Sequence, residues 1–320
     1  MTAVNATLAD DVAPPSSSNG APRPRRSRRV ARTKEATLGY ALLLPALAVF
    51  AVFTFYPFVK NFDLAAHRPG PYPTSPNPYV GTSQFFQIIR SGPFLDSLRS
   101  TLIFVAIAVP LGLFLGLALA VFANQKLRGS AFFQIAFSST AITSIAVAAV
   151  IFQTILSPSN GLMQWLGIHT NPGIALSPSW ALEAVAGISA WQFTGFSFII
   201  MIAGLQSLPE EVLEAARIDG ASSWRVFWRV IVPLMSPTIF FAGVIGTIIA
   251  LQSFGAINIL IGVPNNFTHT NVLINYIYDE IVYDRNFGTA ACLSIALFLV
   301  TLLFTVVQFR ALEKRVHYAS

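Results

Sequence analysis

A charged segment interrupts a mostly apolar chain and holds its most distinctive functional groups. It runs from Ser207 to Pro237 and reads SLPEEVLEAARIDGASSWRVFWRVIVPLMSP. Ser207 and, three residues later, Glu210 predict a capping box that starts a helix over about 208–218. Gly220 predicts the left-handed end of that helix, and a second amphipathic helix follows. Such a helix pair is suited to docking a protein or to resting on lipid, and the residues alone leave both interpretations open.

The sequence lacks the groups that catalysis or proton coupling would need, although sodium could still bind backbone and hydroxyl oxygens. Of the 320 residues, 54% are hydrophobic and 11% charged, whereas soluble domains carry about 25% charged residues. The long apolar runs contain no Asp, Glu, Lys, Arg or His, although proton-driven carriers generally use such groups at membrane depth. No Gly-Lys pair occurs, so the chain has no phosphate-binding loop of its own. The sequence therefore predicts no enzyme, no catalytic residue, no metal site and no nucleic-acid partner, and Cys292 is expected to be a buried small side chain.

Six long runs of the sequence contain no charged residue, and they lie on both sides of the segment from 207 to 237. A spanning helix needs about 20 mostly apolar residues. The runs that meet this length are about 38–59, 101–123, 131–156, 184–206, 236–262 and 288–309. We therefore predict an all-α integral membrane protein in which residues 1–36 form a disordered basic cytoplasmic tail and residues 37–320 form a six-helix transmembrane domain.

The distribution of Lys and Arg predicts the orientation of the chain. If the N-terminus is cytoplasmic, 15 of these cations lie in inner segments and 5 in outer ones. Inner loops of membrane proteins are enriched in Lys and Arg. Both termini and the segment from 207 to 237 are therefore expected in the cytoplasm.

The same segment resembles the EAA loop of binding-protein-dependent ABC transporter permeases. The resemblance rests on Glu214, Ala215, Ala216, Asp219, Gly220, Ala221 and Pro233. The family signature is EAA, three residues, Gly, nine residues, Ile, one residue and Leu-Pro. Val230 and Val232 stand here in place of the Ile and Leu.

The resemblance extends over most of residues 38–312. The sequences LLLPALAVFAVFTFYPFVKNF, SLRSTLIFVAIAVPLGLFLGLALAVFAN and SPSNGLMQWLG are similar to those of carbohydrate and glycerol-phosphate uptake permeases, in particular the partner that comes first in such pairs. The large extracytoplasmic insertion of the maltose permease is missing, which leaves the substrate class open.

This resemblance implies an ABC importer permease fold with a cytoplasmic EAA coupling-helix loop over 207–237, in a bacterial plasma membrane. Two permease subunits would form the pathway, and an ATP-binding cassette ATPase dimer would bind ATP, so that this chain needs no cofactor. An extracytoplasmic solute-binding protein would deliver a sugar or glycerol-phosphate-type solute. Glu214 would face basic groups of the ATPase, Gly220 would permit the turn, and the three alanines would allow a close fit.

The solute is expected to meet polar and aromatic side chains on the two spans that flank the loop. The candidates are Trp191, Gln192, Phe196, Ser197, Gln252, Ser253 and Asn258. Aromatic rings with uncharged amides suit a polyol or sugar, and the absence of Arg in these spans favours a neutral solute. The alternative is that Gln and Ser join helices by hydrogen bonds. Gly112, Gly116 and Ala120 are expected to form a helix-packing stripe.

Two other classes of membrane protein are compatible with parts of this pattern. An ion-coupled secondary carrier would transport without an ATPase and would be sensitive to ionophores. A non-transporting membrane scaffold would take up no solute when all partners are supplied.

Overall fold

A computed structural model describes residues 39–68, 77–125, 129–157, 161, 165, 180–261 and 270–312. The tail expected over 1–36 lies outside the described residues. The described part of the chain is largely helical, with one isolated antiparallel bridge between His67 and Tyr79. In chain order the helices are α1 (Gly39–Ala65), α2 (Ser83–Ile89), α3 (Gly92–Ala123), α4 (Ser130–Ile142), α5 (Ile145–Ile155), α6 (Ala181–Gln206), α7 (Glu210–Ile218), α8 (Ser223–Leu234), α9 (Ser236–Leu251), α10 (Gly255–Ile261), α11 (Leu273–Val282) and α12 (Phe287–Leu312).

Four helices of the described residues, α1, α3, α6 and α12, are each long and apolar enough to cross a membrane. Two further pairs reach that length only together, because α4 and α5 are bent by 100° and α8 and α9 by 67°. The described structure thus has four continuous candidate spans, and six if each bent pair counts as one.

Two of the predicted spans are not single helices. The run over 131–156 is broken between α4 and α5 at Thr143 and Ser144. The run over 236–262 is interrupted when α9 ends at Leu251, and the chain resumes as α10 at Gly255. Neither break in these apolar runs coincides with a proline, so the usual helix-breaking signal is missing from the sequence.

The chain divides into two units, one ending at Phe58 and the other beginning at Val59. In the larger unit, α3 and α6 pack along each other. An ideal Cβ on Gly116 would lie 1.9 Å from the Ser197 hydroxyl, so only glycine allows this close approach. Ala120, one turn further along α3, is fully buried. The predicted packing role of this small-residue stripe is confirmed.

Polar contacts join the end of α1 to the first turns of α12. The Asn61 amide donates to the Ala291 carbonyl at 3.4 Å. The Cys292 thiol lies 3.5 Å from the Ala65 carbonyl and is fully buried. Cys292 is therefore a buried small side chain, as predicted.

Candidate functional site

The first helix of the hairpin formed by α7 and α8 ends in a tight left-handed turn. The Ala221 amide donates to the Ala216 carbonyl at 3.2 Å, and the Asp219 amide donates to the Ala215 carbonyl at 3.0 Å. Gly220 has a φ of +74°. The bond from Ala221 to Ala216 across the left-handed Gly220 is the long bond of a Schellman motif, which satisfies a carbonyl group at the helix end. The left-handed cap predicted at Gly220 is confirmed.

The start of α7 differs from the prediction. The helix begins at Glu210, about two residues later than the sequence suggested. Ser207 is the C-cap of α6, and its hydroxyl donates to the Gly204 carbonyl at 2.7 Å. The Ser207 hydroxyl, predicted to cap the start of α7, thus donates a hydrogen bond to the end of the preceding helix.

Four of the seven residues that resemble the EAA signature are exposed at or beside this turn. Glu214, Ala215, Asp219 and Gly220 are exposed. Ala216, Ala221 and Pro233 are half-buried. A Cβ added to Gly220 would meet no atom within 4 Å, so glycine is required there by the backbone conformation and not by crowding.

A cleft separates the hairpin from the ends of α3 and α6. Its volume is about 570 Å³. Glu210, Glu214 and Ala221 line it from the hairpin, and Asn124 and Gln125 line it from the end of α3. The carboxylates of α7 are therefore accessible both from the surface and from this cleft.

The second helix of the hairpin has two chemically distinct faces. Val226 is buried, and Phe227, Val230 and Ile231 are half-buried. The opposite face carries four exposed residues, which we term the Trp–Arg stripe: Trp224, Arg225, Trp228 and Arg229. The middle of α8, Phe227–Ile231, is wound as a π-helix. Pro233, two residues after this stretch, has no amide hydrogen to continue the α-helical ladder.

A second cavity, of about 280 Å³, lies among α3, α6 and α9. Three of the predicted solute-contacting residues line it: Gln192, Phe196 and Ser253. The remaining lining residues are uncharged. The aromatic rings of Phe193 and Phe196 are stacked, with centroids 5.9 Å apart. The cavity therefore offers apolar rings and a few neutral hydrogen-bonding groups.

Gln192 has a structural bond as well as a place on the cavity wall. Its side-chain amide donates to the Thr143 carbonyl at 3.0 Å. Thr143 lies at the bend between α4 and α5, where backbone groups lose their helical partners. Gln192, which belongs to α6, thus stabilises the bend between α4 and α5.

Four other predicted residues are not among those lining this cavity. Ser197 is fully buried and donates to the Gly112 carbonyl at 2.8 Å, which is the helix-joining alternative. Trp191 packs on Phe152 with ring centroids 5.2 Å apart. Gln252 is exposed at the break after α9. The side-chain nitrogen of Asn258 is buried without a hydrogen-bond partner.

Sequence reasoning missed two residues of the cavity. The Ser189 hydroxyl is buried without a hydrogen-bond partner and borders the cavity. Phe193 is wedged between two glycines, since an added Cβ would lie 2.7 Å from its ring at Gly112 and 2.3 Å at Gly246. Ser189, Gln192, Phe193 and Phe196 follow the spacing of one helix face, so this periodicity could have revealed them.

An acidic group lies on α11, ahead of the last long helix. Burial raises the pKa of Glu280 above its ordinary value, and the charge of Asp284 adds to the effect. Burial likewise raises the pKa of Asp279 and that of Tyr276 to about 12. No group of three or more His, Cys, Asp and Glu side chains in the described residues is placed to hold a metal ion.

The fold and the sequence are similar to those of known transport proteins. The sn-glycerol-3-phosphate transport system permease protein UgpA of Agrobacterium fabrum is 31% identical over 287 residues, covering 88% of this chain and 96% of that protein. UgpA of Yersinia pestis is 33% identical over 290 residues, covering 88% and 96%.

Among solved structures, a chain of a bacterial ABC transporter involved in the import of the acidic polysaccharide alginate matches with a TM-score of 0.77 and 23% identity. The match covers 90% of this chain and 99% of that chain. A chain from the alginate transporter in complex with an alginate pentasaccharide-bound periplasmic protein has a TM-score of 0.76 and 24% identity, with 88% and 95% covered. These likenesses establish the fold.

Residues 80–318 match the family described as binding-protein-dependent transport system inner membrane component. This match spans the bent helix pairs, the hairpin and the cavity. Together with the identity to UgpA proteins over nearly their whole length, it establishes that this chain belongs to the family of inner membrane components of binding-protein-dependent transport systems.

Proposed function

We propose that this chain is one of two permease subunits of an ABC importer for a sugar or glycerol-phosphate-type solute, and that the hairpin of α7 and α8 couples it to a separate ATPase. The observation that carries the proposal is the Schellman turn at Gly220. It displays Glu214, Ala215 and Asp219 on an exposed surface. Family membership excludes the ion-coupled carrier as the alternative.

The surface of the hairpin suits a close protein contact. Ala215, Ala216 and Ala221 add little side-chain volume, so another backbone can approach. Glu214 and Asp219 supply charge for basic groups of the ATPase. Gly220 fixes the end of α7, and Pro233 lies near the bend that leads into α9.

A mechanical path connects the hairpin to the cavity. The bend of 67° joins α8 to α9, and Gly246 of α9 touches the ring of Phe193 on α6. Phe193 also contacts Gly112 of α3. A movement imposed on α7 would therefore pass through α8 and α9 to a residue that lines the cavity.

The chemistry of the cavity supports a hydroxylated solute. Gln192, Ser189 and Ser253 offer neutral hydrogen-bonding groups, and Phe196 offers an apolar ring face. The UgpA relatives are named for sn-glycerol-3-phosphate, which combines a polyol with a phosphate. The uncharged lining suits the polyol part, and a phosphate would take its counter-charge from the second permease subunit.

The proposal includes the remaining parts of the system. An ATP-binding cassette dimer binds ATP on the cytoplasmic side, so this chain carries no cofactor. An extracytoplasmic solute-binding protein delivers the solute, and lipid surrounds the spans. Both termini are assigned to the cytoplasm, because 15 of the 20 Lys and Arg residues then lie inside.

The test is solute uptake by proteoliposomes that contain this chain, the second permease subunit, the ATPase and the solute-binding protein. We expect uptake of a sugar or glycerol phosphate that requires enclosed ATP and persists when ionophores dissipate ion gradients. A transporter that is active with all partners but takes up neither solute class would contradict the assigned substrate. ATP hydrolysis without any uptake would contradict the assigned pathway.

A further inference from the structure

The two helices of the hairpin differ in net charge. The first helix has three acidic residues, Glu210, Glu211 and Glu214, and one basic residue, Arg217. The second carries Arg225 and Arg229, both exposed. A negatively charged surface would therefore repel the first helix and attract the second.

The bend before α9 determines how α8 lies relative to the membrane. The helix consists of stretches of 4, 5 and 3 residues, and the middle stretch is a more tightly rising π-helix, so its length is at most about 18 Å at about 1.5 Å per residue. It leaves α9 at 67°, so its ends differ in depth by at most about 7 Å when α9 stands along the membrane normal. In that orientation α8 runs at a shallow angle to the membrane surface.

The Trp–Arg stripe is placed to meet that surface. Trp224 is 72% exposed and Trp228 47% exposed, and their rings meet edge to face at 5.6 Å. Trp224 and Trp228 are in contact on one part of this exposed side, and Arg225 and Arg229 are the residues that directly follow them along the chain. On the opposite face, Val226 is buried and Ile231 packs against the core cluster that includes Met201 and Met235.

The tryptophans and the arginines of the stripe suit different parts of the membrane interface. Tryptophan rings are enriched at the headgroup level, where one edge is apolar and the other polar. Arginine beside them can reach phosphate oxygens while its methylene groups remain against apolar surface. The cytoplasmic leaflet is negatively charged and attracts such basic residues.

We infer that the Trp–Arg stripe binds the anionic phospholipid surface and holds α8 in the interface, while the acidic α7 projects away from it toward the ATPase. The inference rests on the proposed function only in naming the leaflet and the partner of α7. The second helix, α8, would then be held at the lipid surface while it transmits movement of the docking turn to α9.

The test uses the full chain in nanodiscs, without any partner protein. Tryptophan fluorescence is measured in wild type and in Trp224→Phe/Trp228→Phe, so that the difference isolates the two rings of the stripe. The lipid is phosphatidylcholine brominated either near the headgroup or near the end of the acyl chain. We expect the difference signal to be quenched by the shallow bromines and much less by the deep ones.

The charge of the stripe is tested by adding phosphatidylglycerol to the same nanodiscs. We expect the shallow quenching to increase, and Arg225→Gln/Arg229→Gln to weaken the apparent affinity for phosphatidylglycerol by about fivefold per arginine, or about thirtyfold for the pair. Arg90→Gln/Arg285→Gln removes two exposed arginines elsewhere and should leave that affinity unchanged.

Two results would overturn the inference. Rings that are quenched by neither lipid lie in water and remain available to a protein partner. An equal loss of phosphatidylglycerol affinity in both arginine pairs would show a general charge effect. Because no transport is measured, either failure would leave the assignment of the importer untouched.

Discussion

The Ala221 amide donates a hydrogen bond to the Ala216 carbonyl at 3.2 Å, across the turn that separates the two helices of the hairpin. The bond closes because Gly220, between them, has a φ of +74°. Residues other than glycine rarely adopt a backbone conformation with positive φ. The space around Gly220 is open, so substitutions there change the backbone preference without disturbing the membrane-embedded core.

Gly220→Val should uncouple the importer while leaving the chain in the membrane. A left-handed conformation costs an ordinary residue about 1–2 kcal/mol, and a β-branched residue is especially disfavoured there. The last turn of α7 would fray, and ATP-dependent uptake by the reconstituted importer should fall severalfold. Gly220→Asn is the matched control, because asparagine tolerates this region, and it should retain most of the activity. Equal activity in the two variants would count against the role of the turn.

Gly116→Ala should destabilise the packing of α3 on α6. The added Cβ would lie 1.9 Å from the Ser197 hydroxyl and 3.0 Å from the Phe198 amide nitrogen. Overpacking of this kind costs about 1–3 kcal/mol, which a lower thermal midpoint in nanodiscs would report. Gly187→Ala, within α6, meets no atom within 4 Å and should keep the wild-type midpoint. A Gly116→Ala midpoint equal to that of wild type would show that the two helices separate at little cost.

Gln192→Leu should weaken the bend between α4 and α5. The half-buried Thr143 carbonyl would lose the donor that lies 3.0 Å away, and such a hydrogen bond contributes about 0.5–1.5 kcal/mol. Gln153→Leu makes the same change at an exposed residue whose bond to the Ile259 carbonyl is 3.4 Å long, so its midpoint should move less. If the two variants melt alike, the Gln192 bond has no special role at the bend.

Glu280→Gln should stabilise the chain at neutral pH and not in acid. Burial raises the pKa of Glu280 above the ordinary 4.5, so the folded state holds its proton more tightly than the unfolded state does. Wild-type stability is therefore fully present below about pH 4.5 and declines as the pH rises through the raised pKa. Glutamine cannot ionise and avoids this decline.

The measurement is the thermal midpoint of both proteins between acid and neutral pH. The midpoints should coincide in acid and separate as the pH rises, with Glu280→Gln the higher. Asp284→Asn removes the neighbouring charge and should produce a smaller gain of the same sign. A glutamine variant that is less stable at neutral pH would mean that the hydrogen bond between Tyr276 and the Glu280 carboxylate outweighs the cost of burying the charge.

Much of the fold could be predicted from the absence of charge over whole helix lengths and from one helix-ending glycine. Charge-free runs predicted the four continuous spans, because the membrane interior excludes unpaired charge over a whole helix length. Gly220 predicted the hairpin turn, because a left-handed cap is a local property of a few residues. Both signals are independent of which helix packs against which.

The two broken segments depend on contacts that the local sequence does not contain. The bend at Thr143 is stabilised by Gln192 on another helix. An added Cβ on Gly195 of α6 would lie 2.4 Å from the Ala141 amide nitrogen, so α6 also approaches the end of α4 very closely. Ser197 shows the same limit. A serine hydroxyl could bind a solute, but the hydroxyl of Ser197 donates to the Gly112 carbonyl and so joins α6 to α3.

Crosslinking can show whether the turn at Gly220 docks an ATPase. Ala215 is exposed beside the turn, and the single native cysteine, Cys292, is fully buried, so Ala215→Cys can be labelled selectively with a photo-activated crosslinker. Thr82→Cys, exposed before α2, is the matched control on the proposed outer side. In the assembled importer, Ala215→Cys should crosslink to the ATPase and Thr82→Cys should not. An ATPase that crosslinks to neither site, or to both equally, would contradict the docking role of the hairpin.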